Sequence, residues 1–373
     1  MENSEKRYVN LSWLIYIVIG VVGFVLVRTL FDELNIAVVY DWQMNIYVYD
    51  ILILVYGFIS CGLFYSLGKF VVSKICGYEL VYWNLYFIGL KKENGKIKPY
   101  FGGKQEYSCR VVMSPKNNDV NTTMPLLGGT ISSILAFGIT YALVFGLKAS
   151  PTLKFFFLVS SLFYGFIILL NLVPCRMDNL NDGFALFLLR DKSKRDIYLN
   201  NLRNIQALTD SSKELSYLDI DVENHPLVLE AQIYNYYYLL EKGEIEKATE
   251  LATITYPYRK NVISEELSHS LVIGKVYGMI LKQQNDDLKE YYSKIDVAEK
   301  HIFNESKNYE AIKTALYIFA FIDEDREGYA KVINDSSKAK EKYRYPRLID
   351  AEEKLIKDTI KVVQELQPEL NSK

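Results

Sequence analysis

Residues Phe155–Val173, FFFLVSSLFYGFIILLNLV, form an uncharged apolar run that is followed by Pro174 and then by Asn181-Asp182-Gly183. A run of this kind is typical of a transmembrane helix, because about 20 apolar residues cross a bilayer. Asp182 therefore lies just beyond a predicted membrane helix, where a carboxylate is costly unless a cation, a metal ion or water compensates its charge. Two interpretations remain open: Asp182 is a functional residue, or it is only the N-cap of the next helix.

Similar uncharged runs occur elsewhere in the chain, at Leu11–Val27, Ile51–Gly68 and Leu126–Leu147. All lie before residue 190, whereas the remainder is dense in Lys, Glu and Asp. The fold predicted is a polytopic α-helical membrane domain over residues 1–190, with about four transmembrane helices and a small β insertion. A cytosolic, all-α, solenoid-like domain is predicted over residues 191–373, which is long enough to bury its own core.

The distribution of basic residues predicts the orientation in the membrane. The loop Thr29–Asp50 contains no Lys or Arg, whereas the segment after the second run contains Lys91, Lys92, Lys96, Lys98, Lys104, Arg110 and Lys116. Positive charge marks the cytoplasmic side, so both termini are predicted to be cytoplasmic. We interpret Leu11–Val27 as a retained anchor, because no small-x-small cleavage pattern follows it. The protein is thus predicted to be a multi-pass cell-membrane protein, and its Lys-, Asn-, Ile- and Tyr-rich composition favours a bacterial source.

Charge and cysteine content exclude other classes. The net charge is −2 and no Lys/Arg stripe with interleaved aromatic residues is present, so no nucleic-acid partner is expected. The four cysteines all lie before residue 190, which does not indicate a secreted disulfide framework.

The segment between the second and third apolar runs has the composition of β-strands. Tyr78–Leu90 and Tyr107–Met113 are rich in aromatic and β-branched residues, with glycine turns between them at Gly95 and Gly102-Gly103. Such an element between membrane helices must pack on protein or lie at the interface, because open sheet edges cannot face lipid.

These features resemble the site-2 protease family of intramembrane zinc metalloproteases, over roughly residues 45–190. That family has a β-rich insertion, then a glycine-rich helix start, here Pro125–Thr130, and then an Asn-x-x-Pro and an Asp-Gly motif. The last two are matched by Asn171 with Pro174 and by Asp182 with Gly183. The resemblance implies that Asp182 stands at the third zinc-ligand position. It also makes Asn171, Pro174 and Gly183 candidates for the groove that holds a substrate or client.

The His-Glu-x-x-His motif of the family is replaced. Tyr65, Ser66 and Lys69 stand at the first His, the Glu and the second His positions, in the sequence Tyr65-Ser66-Leu67-Gly68-Lys69. A catalytic zinc needs about three protein ligands, and a serine cannot serve as the general base. The histidines of the chain, His225, His269 and His301, all lie beyond the membrane domain. The resemblance therefore implies a pseudoprotease without catalytic residues or cofactor. The alternative is an active intramembrane metalloprotease with an atypical zinc site.

Other intramembrane chemistries are disfavoured by the same residues. No predicted span contains a His for a serine-type site. Asp50 and Asp182 are predicted near opposite faces of the bilayer, so they cannot form an aspartyl dyad.

Lys69 lies one helical turn beyond Tyr65, on the face that would point at the metal. Its ammonium is predicted either to pair with Asp182 or to extend along the helix end toward the cytoplasmic surface.

The cytosolic half resembles tetratricopeptide-type helical repeats. Leu227–Ala252 has the pattern of a helical hairpin with its turn at Gly243, and poorer copies occur near Tyr277–Ile295 and Tyr309–Val332. The tyrosines at positions 234 and 236–238 are interpreted as packing residues or as part of a concave binding face. Leu348–Leu366 is an amphipathic segment that is predicted to cap the solenoid. The function predicted is binding of a membrane-protein or peptide client, with recruitment of a cytosolic protein through the helical domain.

Overall fold

The computed structural model describes residues 46–86, 88–93, 95–101, 109–146, 148, 150–174, 181–304 and 308–367. The chain divides into two compact units. The first comprises residues up to Lys92 together with Ile97–Arg195, and the second comprises the Glu93–Lys96 turn and the chain from Asp196 onward. The predicted span Leu11–Val27, the turn at Gly102-Gly103 and Cys175 lie outside the described residues.

The helices of the first unit are α1 (Ile46–Ile75), α2 (Thr123–Gly146), α3 (Pro151–Leu172) and the short α4 (Asp182–Leu188). In the described part of the chain, three helical stretches are long and apolar enough to cross a membrane, namely Ile51–Ile75, Thr123–Gly146 and Leu153–Leu172. They coincide with the second, third and fourth predicted runs. The first of them continues beyond the predicted end at Gly68, because Lys69 and Lys74 do not interrupt the helix.

The predicted β insertion is a four-stranded sheet formed by β1 (Tyr78–Leu85), β2 (Ile88–Glu93), β3 (Lys96–Phe101) and β4 (Cys109–Pro115), in the order β3-β2-β1-β4. β1 pairs antiparallel with both β2 and β4. The sequence predicted strand structure over Tyr78–Leu90 but not the hairpin within it. The chain reverses at Tyr86, which has a φ of 58°, and Leu85 pairs with Ile88. Gly95, with a φ of 75°, lies in the turn before β3 as predicted.

The sheet lies along the apolar part of α1. The Tyr86 hydroxyl donates to the carbonyl of Phe58 at 2.5 Å, and the Cys109 thiol donates to the carbonyl of Gly62 at 2.8 Å. Gly62 permits this approach, since a Cβ there would lie 2.6 Å from the Tyr86 hydroxyl. At its other end the sheet begins with Tyr78, just after α1 ends at Ile75. At 1.5 Å per residue, about 26 Å of helix separates Ile75 from Phe58. The sheet therefore runs beside most of the apolar length of α1.

The second unit is helical in all of its regular elements that are described from Asp196 onward. Its helices are α5 (Arg195–Thr209), α6 (Pro226–Glu241), α7 (Ile245–Thr255), α8 (Glu265–Leu281), α9 (Asn285–Lys294), α10 (Val297–Asn304), α11 (Ile312–Phe321), α12 (Arg326–Glu341) and α13 (Ile349–Leu366), with short 3-10 turns between some of them. They share one hydrophobic core, in which Leu229, Leu271 and Leu316 are fully buried. The amphipathic C-terminal segment forms α13, which buries Leu355 and Val363 in this core.

Helical hairpins occur at the predicted position and at both of the poorer copies. Each turn contains one residue with positive φ: Gly243 at 75°, Gln283 at 53° and Glu324 at 52°. In the first two turns the amide of the next residue donates to the carbonyl five positions earlier, from Glu244 to Leu239 and from Gln284 to Met279. The sequence pattern was weak at the last two turns because the left-handed residue is not glycine.

The tyrosine cluster on α6 is a packing feature. Tyr234, Tyr236 and Tyr237 are buried in the core, and Tyr238 is half-buried against it. The interpretation as a concave binding face is therefore not supported for the three buried rings.

Candidate functional site

Asp182 is buried, and both of its carboxylate oxygens are occupied by side chains of α1. The Tyr65 hydroxyl donates to Oδ2, and Lys69 Nζ lies 2.5 Å from Oδ1. The side chain of Asp182 is 3% exposed and that of Lys69 is 21% exposed. Of the two alternatives left open for Lys69, the ion pair with Asp182 is thus present, and the other, that Lys69 only extends toward the surface, is wrong.

The positions of Tyr65 and Lys69 follow from helix geometry. Residues four apart lie on the same face of a helix, so both side chains of α1 reach one point on α4. The aromatic ring of Tyr65 packs on Gly129 of α2, where a Cβ would lie 2.5 Å from the ring. The glycine-rich start of α2 therefore gives the tyrosine the space that it needs beside Asp182.

Asn181 caps the N-terminus of α4, a role that the sequence analysis did not assign to it. Its Oδ1 accepts from the amide of Phe184 at 2.7 Å, and its Nδ2 donates to the carbonyls of Leu170 and Val173 at 3.0 and 2.8 Å. Asn181 is therefore the N-cap of α4, and the interpretation of Asp182 as that cap is wrong. The signal was available, because Asn is among the preferred N-cap residues.

The remaining candidate residues lie around this centre in different roles. A Cβ on Gly183 would lie 2.3 Å from the carbonyl oxygen of Leu172, so Gly183 lets α4 pack on the end of α3. The Asn171 amide donates to Ile167 within its own helix at 2.9 Å, and Pro174 follows the end of that helix. Ser66 likewise donates to the carbonyl of Leu63 at 3.0 Å. The structure brings together Tyr65, Lys69 and Asp182, while Ser66 and Asn171 bond to their own helices.

The charges at this centre are balanced within the protein. A buried carboxylate beside an ammonium forms a pair that is expensive to break, since removal of either partner leaves an uncompensated charge that costs about 3–5 kcal/mol. The pair joins α1 to α4, and the Tyr65 hydroxyl completes the hydrogen bonding of the carboxylate. The arrangement suits structural linkage and charge neutralisation.

The same residues do not fit a zinc ion. Of the three positions that would face the metal, only Asp182 offers a ligand of the usual kind, and the Lys69 ammonium next to it would repel a cation. Among the described residues, no group of three or more His, Cys, Asp and Glu side chains is placed to hold a metal ion. The histidines lie in the second unit, with His225 buried at the start of α6.

No protein family, curated protein or solved structure matched the chain when it was compared with them. The interpretation of the site therefore rests on its residues and their geometry.

Proposed function

We propose that this protein is a membrane protein of the site-2 protease type that has lost catalysis, binds a transmembrane or peptide client, and recruits a cytosolic protein through its helical unit. The observation that carries the proposal is the buried Tyr65–Asp182–Lys69 group, which stands at the positions where the resemblance would place a metal-binding set. In this group the ammonium supplies the positive charge that a metal would otherwise supply, and it offers no open coordination position for an attacking water.

Three apolar helices support the assignment to a membrane. Their exposed surfaces carry large apolar side chains such as Ile51 on α1, Leu135 on α2 and Phe166 on α3. Exposed apolar area of this extent is unusual in a soluble monomer. The basic residues that follow α1 favour a cytoplasmic location for the C-terminal end of α1 and for both termini.

The sheet supports client binding. If α1 spans the bilayer, the end of the sheet near Phe58 and Gly62 lies at the depth of the hydrocarbon, where backbone groups require hydrogen-bond partners. Among the described strands, β4 is an outer strand that pairs only with β1. An extended client segment that adds to this edge would complete its hydrogen bonding.

Photo-crosslinking tests this proposal. A photo-reactive residue at Asn171, followed by mass spectrometry, is expected to capture a defined membrane segment that remains intact. A matched probe at Leu135, whose side chain is 62% exposed on α2, should not capture the same segment. Equal capture at both positions would contradict a specific client site.

The alternative function is an active metalloprotease with an atypical zinc site. Under that alternative the captured segment would be cleaved, and Asp182→Ala would abolish the cleavage. The ammonium beside Asp182 favours the non-catalytic function over this one.

A further inference from the structure

A half-buried lysine of the second unit lies in a corner formed by two tyrosine rings. Lys275 Nζ, on α8, is 3.8 Å from the ring centre of Tyr256 and 4.3 Å from that of Tyr291. The two rings are inclined at 68° to each other, and their hydroxyl oxygens are 2.9 Å apart. Both ammonium distances are within the range of cation–π contacts, so the rings hold the lysine side chain in place.

The positive charge at this corner exceeds the negative charge. Arg259 Cζ lies 4.1 Å from the centre of the Tyr256 ring, so two cations contact the same ring. Glu299 pairs with the guanidinium, because its Oε1 accepts from Arg259 Nε at 2.6 Å. Within the described residues, the Lys275 ammonium has neither a hydrogen-bond acceptor nor a carboxylate at ion-pair distance. One positive charge at this corner is therefore left without an anion.

The protonation of Lys275 agrees with this balance of charges. Burial, followed by the charge of Arg259, lowers the pKa of Lys275, and the more weakly acting charge of Glu299 opposes them. An anion that approached the ammonium from solvent would relieve both effects, since an opposite charge favours the protonated form. The corner is therefore a favourable place for an anionic group.

Large apolar side chains are exposed beside the corner. Ile254 and Tyr258 lie two positions before and after Tyr256, and they are 53% and 38% exposed. Val297 lies two positions before Glu299 and is 84% exposed. Consecutive Cα atoms are 3.8 Å apart, so each of these residues has its Cα within about 8 Å of that of a corner residue. Tyrosine and arginine beside exposed apolar side chains are typical of protein-binding surfaces.

We propose that this surface binds an acidic side chain, Asp or Glu, of a cytosolic protein, with apolar residues on both sides of it in the partner sequence. The carboxylate accepts from Lys275 Nζ and balances the excess charge, and hydrogen bonds between charged groups are among the strongest in proteins. An internal acidic residue fits better than a free C-terminus. Two separate segments, one with Ile254 and Tyr258 and one with Val297, offer apolar contacts to residues before and after the charge. This inference rests on the proposed recruitment of a cytosolic protein and specifies the chemistry of that partner.

Protection of Lys275 from acetylation tests the proposal on the full-length protein in detergent. The probe is the soluble peptide Ser-Leu-Asp-Leu-Ser with blocked ends, and the matched peptide has Asn in place of Asp. Acetylation by a limiting amount of acetic anhydride is followed by mass spectrometry at Lys275 and at Lys331, an exposed lysine on α12 that serves as the internal control.

The acidic peptide should slow acetylation of Lys275 saturably, by about tenfold at ten times its dissociation constant, and leave Lys331 unchanged. The Asn peptide should need about ten to a hundred times the concentration for the same protection, because it lacks the charge that pairs with the ammonium.

A substitution at the exposed valine tests the apolar part of the surface. Val297→Ser should leave the fold intact, because the side chain is 84% exposed, and should weaken the protection of Lys275 by about tenfold. Val362→Ser, at an exposed valine of α13, is the matched control and should leave the protection unchanged.

Three results would overturn the proposal. They are no protection by the acidic peptide, equal protection by the Asp and Asn peptides, and equal protection of Lys275 and Lys331. Stronger protection by Ser-Leu-Leu with a free carboxyl terminus would overturn the assignment to an internal acidic residue. None of these results changes client capture at Asn171, which tests the proposed membrane function separately.

Discussion

Lys69 and Asp182 lie 113 positions apart in the sequence, yet Lys69 Nζ is 2.5 Å from Asp182 Oδ1. This contact joins the apolar helix α1 to the short helix α4 and places a positive charge beside a buried carboxylate. It accounts for the burial of the carboxylate, because the ammonium balances its charge.

Removal of the ammonium should destabilise the first unit. In Lys69→Leu the buried carboxylate of Asp182 has no cation partner, so the free energy of unfolding should fall by about 3–5 kcal/mol. The measurement is unfolding of the detergent-solubilised protein together with the yield of folded protein. Lys74→Leu is the control, because Lys74 is exposed on the same helix. Similar losses in both variants would argue against the ion pair as a stabilising contact.

Removal of both charges should recover much of this loss. Replacement of a buried pair by apolar residues of similar size is often neutral or stabilising. Lys69→Leu combined with Asp182→Leu should therefore be more stable than either single variant in the same unfolding experiment. If the two losses simply add, the residues do not interact in the folded protein.

Gly129 should tolerate no side chain. A Cβ at this position would lie 2.5 Å from the Tyr65 ring, so Gly129→Ala is expected to cost about 1–3 kcal/mol through overpacking. Gly138 lies on the same helix with nothing within 4 Å of an added Cβ, and Gly138→Ala should be neutral or slightly stabilising. Thermal unfolding of the two variants gives the comparison, and equal behaviour would contradict the packing described for Tyr65.

Glycine at the left-handed turn residues should stabilise the second unit. Gln283 and Glu324 have φ values of 53° and 52°, which cost a non-glycine residue about 1–2 kcal/mol. Gln283→Gly is therefore expected to raise thermal stability, whereas Lys289→Gly, at an exposed position in the interior of α9, should lower it. A loss of stability in Gln283→Gly would mean that its turn differs from that of Gly243.

The second unit should lose stability as the pH rises toward 8, because Glu310 is a buried carboxyl group of its core. The pKa of Glu310 is about 8 in the folded protein, above the usual 4.5, so the folded state retains a proton that the unfolded chain releases. The stabilisation is complete below about pH 4.5 and is lost as the pH rises through about 8. Hydrogen exchange against pH should show this decline, and Glu310→Gln should flatten it. An unchanged profile in the variant would exclude Glu310 as its source.

Periodicity and composition predicted much of the first unit. The second, third and fourth apolar runs are helices, and the aromatic segment forms strands. The spacing of Tyr65 and Lys69 left two positions open for the Lys69 ammonium, of which the structure has the pair with Asp182. The sequence left open whether Asp182 is the cap of α4, because Asn181 and Asp182 are adjacent and both residue types favour that position. The folded structure distinguishes them: Asp182 contacts Tyr65 and Lys69 of α1, and Asn181 accepts from the amide of Phe184.

The buried ion pair between Lys313 and Glu352 in the second unit could not be predicted from the sequence. The two residues are 39 positions apart, and each stands among residues that resemble an exposed helix face. Lys and Glu are rarely fully buried, so a sequence pattern assigns them to the surface unless the partner is known. The turn at Gln283 was obscured in a similar way, since only the fold reveals that its backbone is left-handed.

The zinc content of the purified protein tests the central claim most directly. The wild-type protein is compared with a triple variant, Tyr65→His, Ser66→Glu and Lys69→His, which would place a His-Glu-x-x-His set beside Asp182. If the ion pair stands in place of a metal site, the wild-type protein should retain no stoichiometric zinc and the triple variant should bind it. Stoichiometric zinc in the wild-type protein, lost in Asp182→Ala, would contradict the account and favour an active metalloprotease.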